Sequence, residues 1–256
     1  MKTKGIIIYF SIISLSIFAL IACNQKSSPQ PVAGTGSGNL SGYIYAYDDK
    51  TSPISDLSGF TVSVDDINNT SVKTDASGKY NFTNLIYGIH DLTFSKTGYG
   101  NFKLFGVNHS KTSTSGNTIL RGINLGKIST TSITGIKIST EPSGILPALR
   151  IMPELSPVPT ASNRGYFRLF FGSNNNVSNT NYKAYTKVAG ILNANAGPLL
   201  SKEDFAEMGF SSGQTIYVKA YGDSFNSNEY TDPNTGITIF PNLNATTVNA
   251  VAIKVP

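Results

Sequence analysis

The sequence predicts an all-β fold, two β-sandwich domains in tandem over residues 40–130 and 131–256. Three observations predict it. Apolar and polar residues alternate in short runs of period two. Gly, Asp, Asn and Ser cluster between the runs, where turns belong. Only one stretch carries the signals of a helix. In the first half, Ile44 and Ala46 alternate with Tyr43, Tyr45 and Tyr47, and Phe60, Val62 and Val64 with Thr61 and Ser63. Tyr80 and Phe82 alternate with Lys79, Asn81 and Thr83, and Leu92 and Phe94 with Thr93 and Ser95; Phe102, Leu104, Ile123 and Leu125 extend the pattern. In the second half, strands are expected over 135–140, 165–172, 182–187, 215–221 and 247–254. The helix is expected over 201–208. Ser201 is its N-cap, Asp204 stands three positions on, Leu200 and Phe205 are spaced as a hydrophobic staple, and Gly209 is the stop.

The chain begins with Met-Lys-Thr-Lys, then an uncharged apolar run from Gly5 to Ile21. A basic start before an apolar run is a secretory signal. The run is also near the lower limit of ~17–25 residues for a membrane span. Leu20-Ile21-Ala22-Cys23 separates the two readings. It resembles the bacterial lipobox: an aliphatic residue, a tolerant position, a small residue that lets the peptidase reach the bond, then Cys. The resemblance implies that 1–22 is a lipoprotein signal peptide and that the Cys23 thiol takes a diacylglycerol. It further implies three acyl chains, hence attachment that is permanent in practice. Cys23 is the only cysteine, so no intramolecular disulfide can form. Residues 23–39, rich in Ser, Gly, Pro and Gln, read as a flexible tether of roughly 20 Å. No acidic run follows Cys23, and residue 24 is Asn rather than Asp. By analogy with known sorting signals, this favours the outer membrane and its periplasmic side over the cell surface.

The stretch from Ser41 to Gly100 carries Gly42 and Ile44, then Pro53 and Gly59 before Val62 and Val64. Thr74-Asp75-Ala76-Ser77-Gly78-Lys79-Tyr80-Asn81-Phe82 follows, and Leu85, Gly88, Leu92, Phe94, Gly98 and Tyr99 complete it. This series resembles the carboxypeptidase regulatory-like (transthyretin-like) domain. The resemblance implies a sandwich with a tight turn at Asp75–Gly78; it implies almost nothing about function, because the module is joined to many unrelated envelope proteins. The stretch Phe210 to Ala220 faintly resembles a fibronectin type III loop and strand, with Ile216 where that family has its corner Tyr. The second domain is accordingly expected to be Ig-like or fibronectin-like.

Composition excludes several chemistries. The formal net charge of +5 falls to +3 once Lys2 and Lys4 leave, too small and too scattered for a nucleic-acid partner. His90 and His109 are the only histidines. With a single, lipidated cysteine they supply no zinc set and leave little room for a Ser-His-Asp or Cys-His site. His90 shares parity with Leu92 and Phe94 and is expected to point inward; His109, beside Asn108, Ser110 and Lys111, reads as a loop. Asp65-Asp66-Ile67-Asn68-Asn69 lacks calcium-loop spacing and reads as a solvated hairpin turn. No catalytic residue, metal or cofactor is expected.

What remains is aromatic. Tyr43, Tyr45 and Tyr47 form one stripe opposite the core residues of their strand, and Tyr217 and Tyr221 form another. Exposed stripes of this kind stack on sugars or anchor a protein. The plainer reading is that a loop or the other domain covers them, and the absence of Trp weakens the sugar reading. The leading expectation is a non-catalytic, lipid-anchored binding or scaffold protein of the cell envelope, its partner a protein or a glycan. A purely architectural spacer is the first alternative. A hydrolase is the second, using the carboxylates Glu141, Glu154, Glu203, Glu207 and Glu229, of which Glu203 and Glu207 are spaced i,i+4 on the expected helix.

Overall fold

A computed structural model describes residues 36–111, 116–144, 146–193 and 196–256. The expected signal peptide 1–22, Cys23 and most of the expected tether lie outside the described residues. The first strand, β1 (Ser37–Tyr47), starts inside the segment expected to be tether and takes in Ser37, Gly38 and Asn39.

Among the described residues, seven further strands follow before residue 130: β2 (Thr61–Val64), β3 (Ser71–Lys73), β4 (Lys79–Ile86), β5 (Gly88–Ser95), β6 (Phe102–His109), β7 (Asn117–Ile119) and β8 (Ile123–Gly126). One sheet has the order β3-β2-β5-β6; the other is built on β1, with β4 on one side and β7 and β8 on the other. The alternation read from the sequence is what packs them. Leu40, Ile44 and Ala46 of β1 and Tyr80 and Phe82 of β4 face Val62 of β2 and Leu92 and Phe94 of β5 in one buried core. Asp75 organises the predicted turn: its Oδ1 accepts from Ser77 N (2.9 Å), Ser77 Oγ (2.6 Å) and Lys79 N (3.0 Å), while Gly78 takes φ 81°. The hydrogen bond from the Ser77 hydroxyl, then that from Lys79 N–H, holds this carboxyl below its ordinary range. β7 and β8 run parallel to β1, whereas the other strand pairs of this sandwich are antiparallel. After β6 the chain crosses to the other sheet instead of turning back beside its neighbour.

The second sandwich holds β9 (Ser132–Ser143), β10 (Leu146–Ser156), β11 (Gly165–Gly172), β12 (Ala184–Tyr185), β13 (Ala189–Ile191), β14 (Leu199–Ser201), helix α1 (Lys202–Glu207), β15 (Thr215–Gly222), β16 (Tyr230–Thr231), β17 (Thr238–Ile239) and β18 (Val251–Lys254). One sheet is β14-β10-β9; the other is β12-β11-β15-β18, with β13 also paired to β11. Ile151 of β10, Phe167, Leu169 and Phe171 of β11, and Ile216 and Val218 of β15 form the core between them. Strand β10 had no signal in the sequence reading, because Pro147 and Pro153 break its pattern. The structure shows how it tolerates them. Ile151 N–H points toward the β14 side, where it donates to Pro198 O, so the same-parity Pro147 and Pro153 aim their missing donors that way. Strand β14 pairs only with Ala148, Leu149 and Arg150, so neither proline interrupts a ladder bond.

Helix α1 has the expected capping box. Ser201 Oγ accepts from Asp204 N (3.3 Å), and Asp204 Oδ2 accepts from Ser201 N (2.7 Å). Leu200 and Phe205 both enter the core, and Gly209 ends the helix at φ 80°. The described residues belong to one compact unit.

Candidate functional site

Between β15 and β18, residues 223–250 carry the short β16-β17 hairpin and do two things at once. They cover the outer face of the second sandwich, and they reach across to the first. On the outer face, Phe170 and Tyr221 of the sheet pack with Val177 and Phe240, and Tyr182, Tyr185 and Tyr217 pack around them. Phe170 meets Phe240 (4.9 Å, 85°) and Tyr221 (5.5 Å, 89°) edge to face. For the second stripe the plainer of the two readings describes the structure: Tyr221 is buried and Tyr217 half-buried under this connection, which takes much of that aromatic face out of water. The first stripe is open: Tyr43 is 39% exposed and Tyr45 48%, while Tyr47 is half-buried.

At the crossing, Asn242 is fully buried. Its Oδ1 accepts from Gly100 N of the first sandwich (3.0 Å), and its Nδ2 donates to Asn226 O (2.7 Å) and Asn228 Oδ1 (2.8 Å). Asn228 Oδ1 also accepts from Gly126 N (2.7 Å), and its Nδ2 donates to Asn124 O (2.7 Å). Gly126 has to be glycine: a Cβ there would lie 2.4 Å from Asn226 O. Phe225 N donates to Asp49 O (3.1 Å), and Tyr230 packs on Phe102 and Phe105 (6.0 and 5.9 Å). The two sandwiches are thus bonded to one another through backbone as well as side chains.

Beside this junction opens a groove of about 540 Å³, lined by Phe102 from the first sandwich and by Lys187, Val188 and the 225–229 loop from the second, with Arg168 beneath. Arg168 is 1% exposed. It donates from Nε to Asp223 Oδ2 (3.0 Å) and from Nη1 to Thr186 O (2.9 Å), pairs through Nη2 with Glu229, and lies 4.8 Å over the Phe240 ring. Burial pushes the Asp223 carboxyl above its ordinary range, and the Arg168 charge offsets only part of that. Phe225 is 52% exposed and meets the Tyr166 ring edge to face at 5.6 Å.

The other candidate residues go elsewhere. His90 is buried as expected, with Nδ1 2.9 Å from Asp66 Oδ2 and Nε2 2.9 Å from Ile86 O. His109 is corrected from a loop to the buried end of β6, held by Thr118 Oγ1 (2.7 Å) and Leu85 O (3.1 Å); burial holds its ring pKa below the ordinary value. Asp65 pairs with Lys103 (2.8 Å), so both aspartates of the 65–69 turn have partners. Among the described residues no group of three or more His, Cys, Asp and Glu could hold a metal ion. Glu141 pairs with Arg150 (2.8 Å), Glu154 with Lys137 (2.5 Å) and Glu229 with Arg168. Glu203 and Glu207 are both exposed on α1; Glu207 borders a shallow groove with Lys183 and Tyr185, which Glu203 does not line.

Sequence reasoning missed Arg168, Asp223, Phe225, Lys187 and Asn242. One signal pointed to the first: a lone charge inside the apolar run Tyr166-Phe167-Arg168-Leu169-Phe170-Phe171 must be paired if that run is a buried strand. Asn242 carried no signal, since its role depends on a glycine far away in sequence.

No protein-family model matches the chain, and no curated protein matches it. Among solved structures, it is similar to two cohesin–X-dockerin complexes from Acetivibrio cellulolyticus. The first has 23% identity over 34% of this chain and 56% of that one (TM-score 0.28); the second has 21% over 36% and 59% (TM-score 0.30). The chain therefore spans little more than half the length of these two. It is also similar to a DUF3823 family protein from Parabacteroides merdae, with 10% identity over 86% of this chain and 98% of that one (TM-score 0.27). Superpositions this loose carry no argument about what the chain does.

Proposed function

We propose that the protein is a non-catalytic binding module of the cell envelope, anchored through lipid on Cys23 and presenting the junction groove to an envelope protein or glycan. The observation that carries the reading is the groove itself. It is lined from both sandwiches, one wall is an exposed aromatic ring, and the loop that forms it is held by buried hydrogen bonds. A binding surface fixed before its ligand arrives avoids the ordering cost of binding. The outer membrane is the proposed site, with the groove facing the periplasm.

Two measurements test this. Wild-type protein should label with an alkyne-bearing palmitate and Cys23→Ser should not; an unlabelled wild type would remove the anchor. Wild-type protein cross-linked in solubilised envelopes should retain a component that the double variant Phe225→Ala, Lys187→Glu loses. Equal retention by both would exclude the groove as the site. The Asn242 junction favours a second reading, a rigid spacer with no ligand of its own, for which the groove variants would leave envelope assembly unchanged.

A further inference from the structure

Taking lipid on Cys23 as the anchor, we propose that the far end of the first sandwich, the end where β1 begins, rests on the bilayer and so sets the height of the junction groove above the lipid. Strand β1 runs from one end of that sandwich to the other. Past its last residues the chain meets the second sandwich: Asp49 O, Gly100 N and Gly126 N all bond to residues within 225–242. At its first residues the chain from Cys23 comes in. Twelve residues, 24–35, separate Cys23 from Gly36. Gly36 O accepts from Tyr87 N (3.1 Å), and Ser37 pairs with Ile86, so the anchoring segment enters against the turn between β4 and β5.

That end is apolar at its turn and almost uncharged around it. Ile86 is 50% exposed and Ile89 40%, on either side of the buried Tyr87. Turns in water favour Gly, Asn, Asp and Ser; here two branched apolar side chains stand out instead. A groove of about 230 Å³ beside Ile86, lined by Ile67, Thr70 and Leu85, continues the surface. Lys111 is the only Asp, Glu, Lys or Arg in the stretches 36–39, 67–70, 84–90 and 106–111 that meet there. The neighbouring Asp65 and Asp66 are tied to Lys103 and His90. Apolar side chains draw a surface into the headgroup layer, and free carboxylates would oppose it. The tether names the occupant. It leads from the lipid to this end, roughly 20 Å along, so contact with the bilayer is intramolecular and needs little affinity of its own. With this end on the lipid, the groove stands a β1 length above it, 11 residues or about 35 Å, clear of the headgroups.

The chain has no Trp, so a single introduced indole reports alone. Asn108 is exposed and lies opposite Ile89. Full-length Asn108→Trp protein is reconstituted in phosphatidylethanolamine–phosphatidylglycerol vesicles with brominated acyl chains. Its fluorescence should fall by about half or more, as for a side chain at the headgroup–acyl boundary, while Ile237→Trp on the second sandwich should be unchanged. Adding Ile86→Asn and Ile89→Asn should abolish the quenching with the melting temperature and palmitate labelling unaltered. Should the asparagines lower the melting temperature, Ile86→Thr with Ile89→Thr keeps the branched shape and replaces them. Quenching of Asn108→Trp no greater than that of Ile237→Trp, or quenching that survives loss of both isoleucines, would each overturn the proposal. Palmitate-labelled protein with an unquenched reporter leaves the anchor standing and removes only the docking; unlabelled wild type removes the anchor itself.

Discussion

The two sandwiches start from the same pattern and treat it oppositely. In β1, core residues alternate with Tyr43 and Tyr45, and these tyrosines face solvent. In β15, core residues alternate with Tyr217 and Tyr221, and the 223–250 connection buries Tyr221 and half-buries Tyr217. Period two states which residues share a face; it does not state what that face meets. The covered face gives the molecule its buried Arg168 network, its junction and its groove, because the same segment that covers the tyrosines brings Phe225 and Asn242 beside the first sandwich.

The largest effect expected from this difference is at Arg168. Arg168→Ala strips the cation from Asp223, a carboxylate that is 1% exposed, and should destabilise the protein by about 3–5 kcal/mol in urea unfolding. A loss near zero would mean that water reaches the covered face. Tyr221→Ala comes next, at about 3 kcal/mol, since the ring packs against Phe170 inside the cluster. Asn242→Ala takes from Gly100 N its acceptor, from Asn226 O its side-chain donor and from Asn228 Oδ1 one of its two donors at the junction. It should cost about 1–3 kcal/mol, and small-angle scattering should show the two sandwiches moving apart.

A smaller effect separates the sandwiches by pH. The His109 ring has its pKa held below the ordinary value by burial. The unfolded chain therefore takes up the proton first, and the stability that His109 contributes is present above pH ~6.5 and is lost as pH falls toward the folded pKa. Wild type should lose stability relative to His109→Gln between pH 7 and 5, measured by thermal unfolding; a parallel pair of curves would show that the ring is solvated. The smallest effect should be Tyr45→Ala, within about 0.5 kcal/mol of wild type. Its comparison with Tyr221→Ala is the direct one: the same side chain on the same kind of strand face, differing only in what covers it.

Much of the fold was legible because its causes are local. Alternation at Phe60, Val62 and Val64, the Asp75–Gly78 turn and the Ser201–Asp204 capping box each depend on residues within a few positions, and the structure has all three. Strand β10 was not legible, since Pro147 and Pro153 are tolerable only where β14 stops short. The groove was less legible still. The sequence offered five tyrosines as a binding face beside the plainer reading that they are covered; the groove is lined instead by Phe225, Asn226, Ser227 and Lys187, none of which stands out in its own neighbourhood.

By itself, the sequence determined an all-β chain, with two sets of core residues fixed by parity and a helix fixed by its cap, because side chains on a strand alternate regardless of what the strand later packs against. Only the tertiary structure decided which aromatic face stays in water, that Arg168 finds Asp223 and Glu229, and that Asn242 ties Gly100 to Asn228. These depend on where residues 223–250 return across the sheet, and the burial of one sandwich's outer face against that returning segment is a long-range balance that no local pattern encodes.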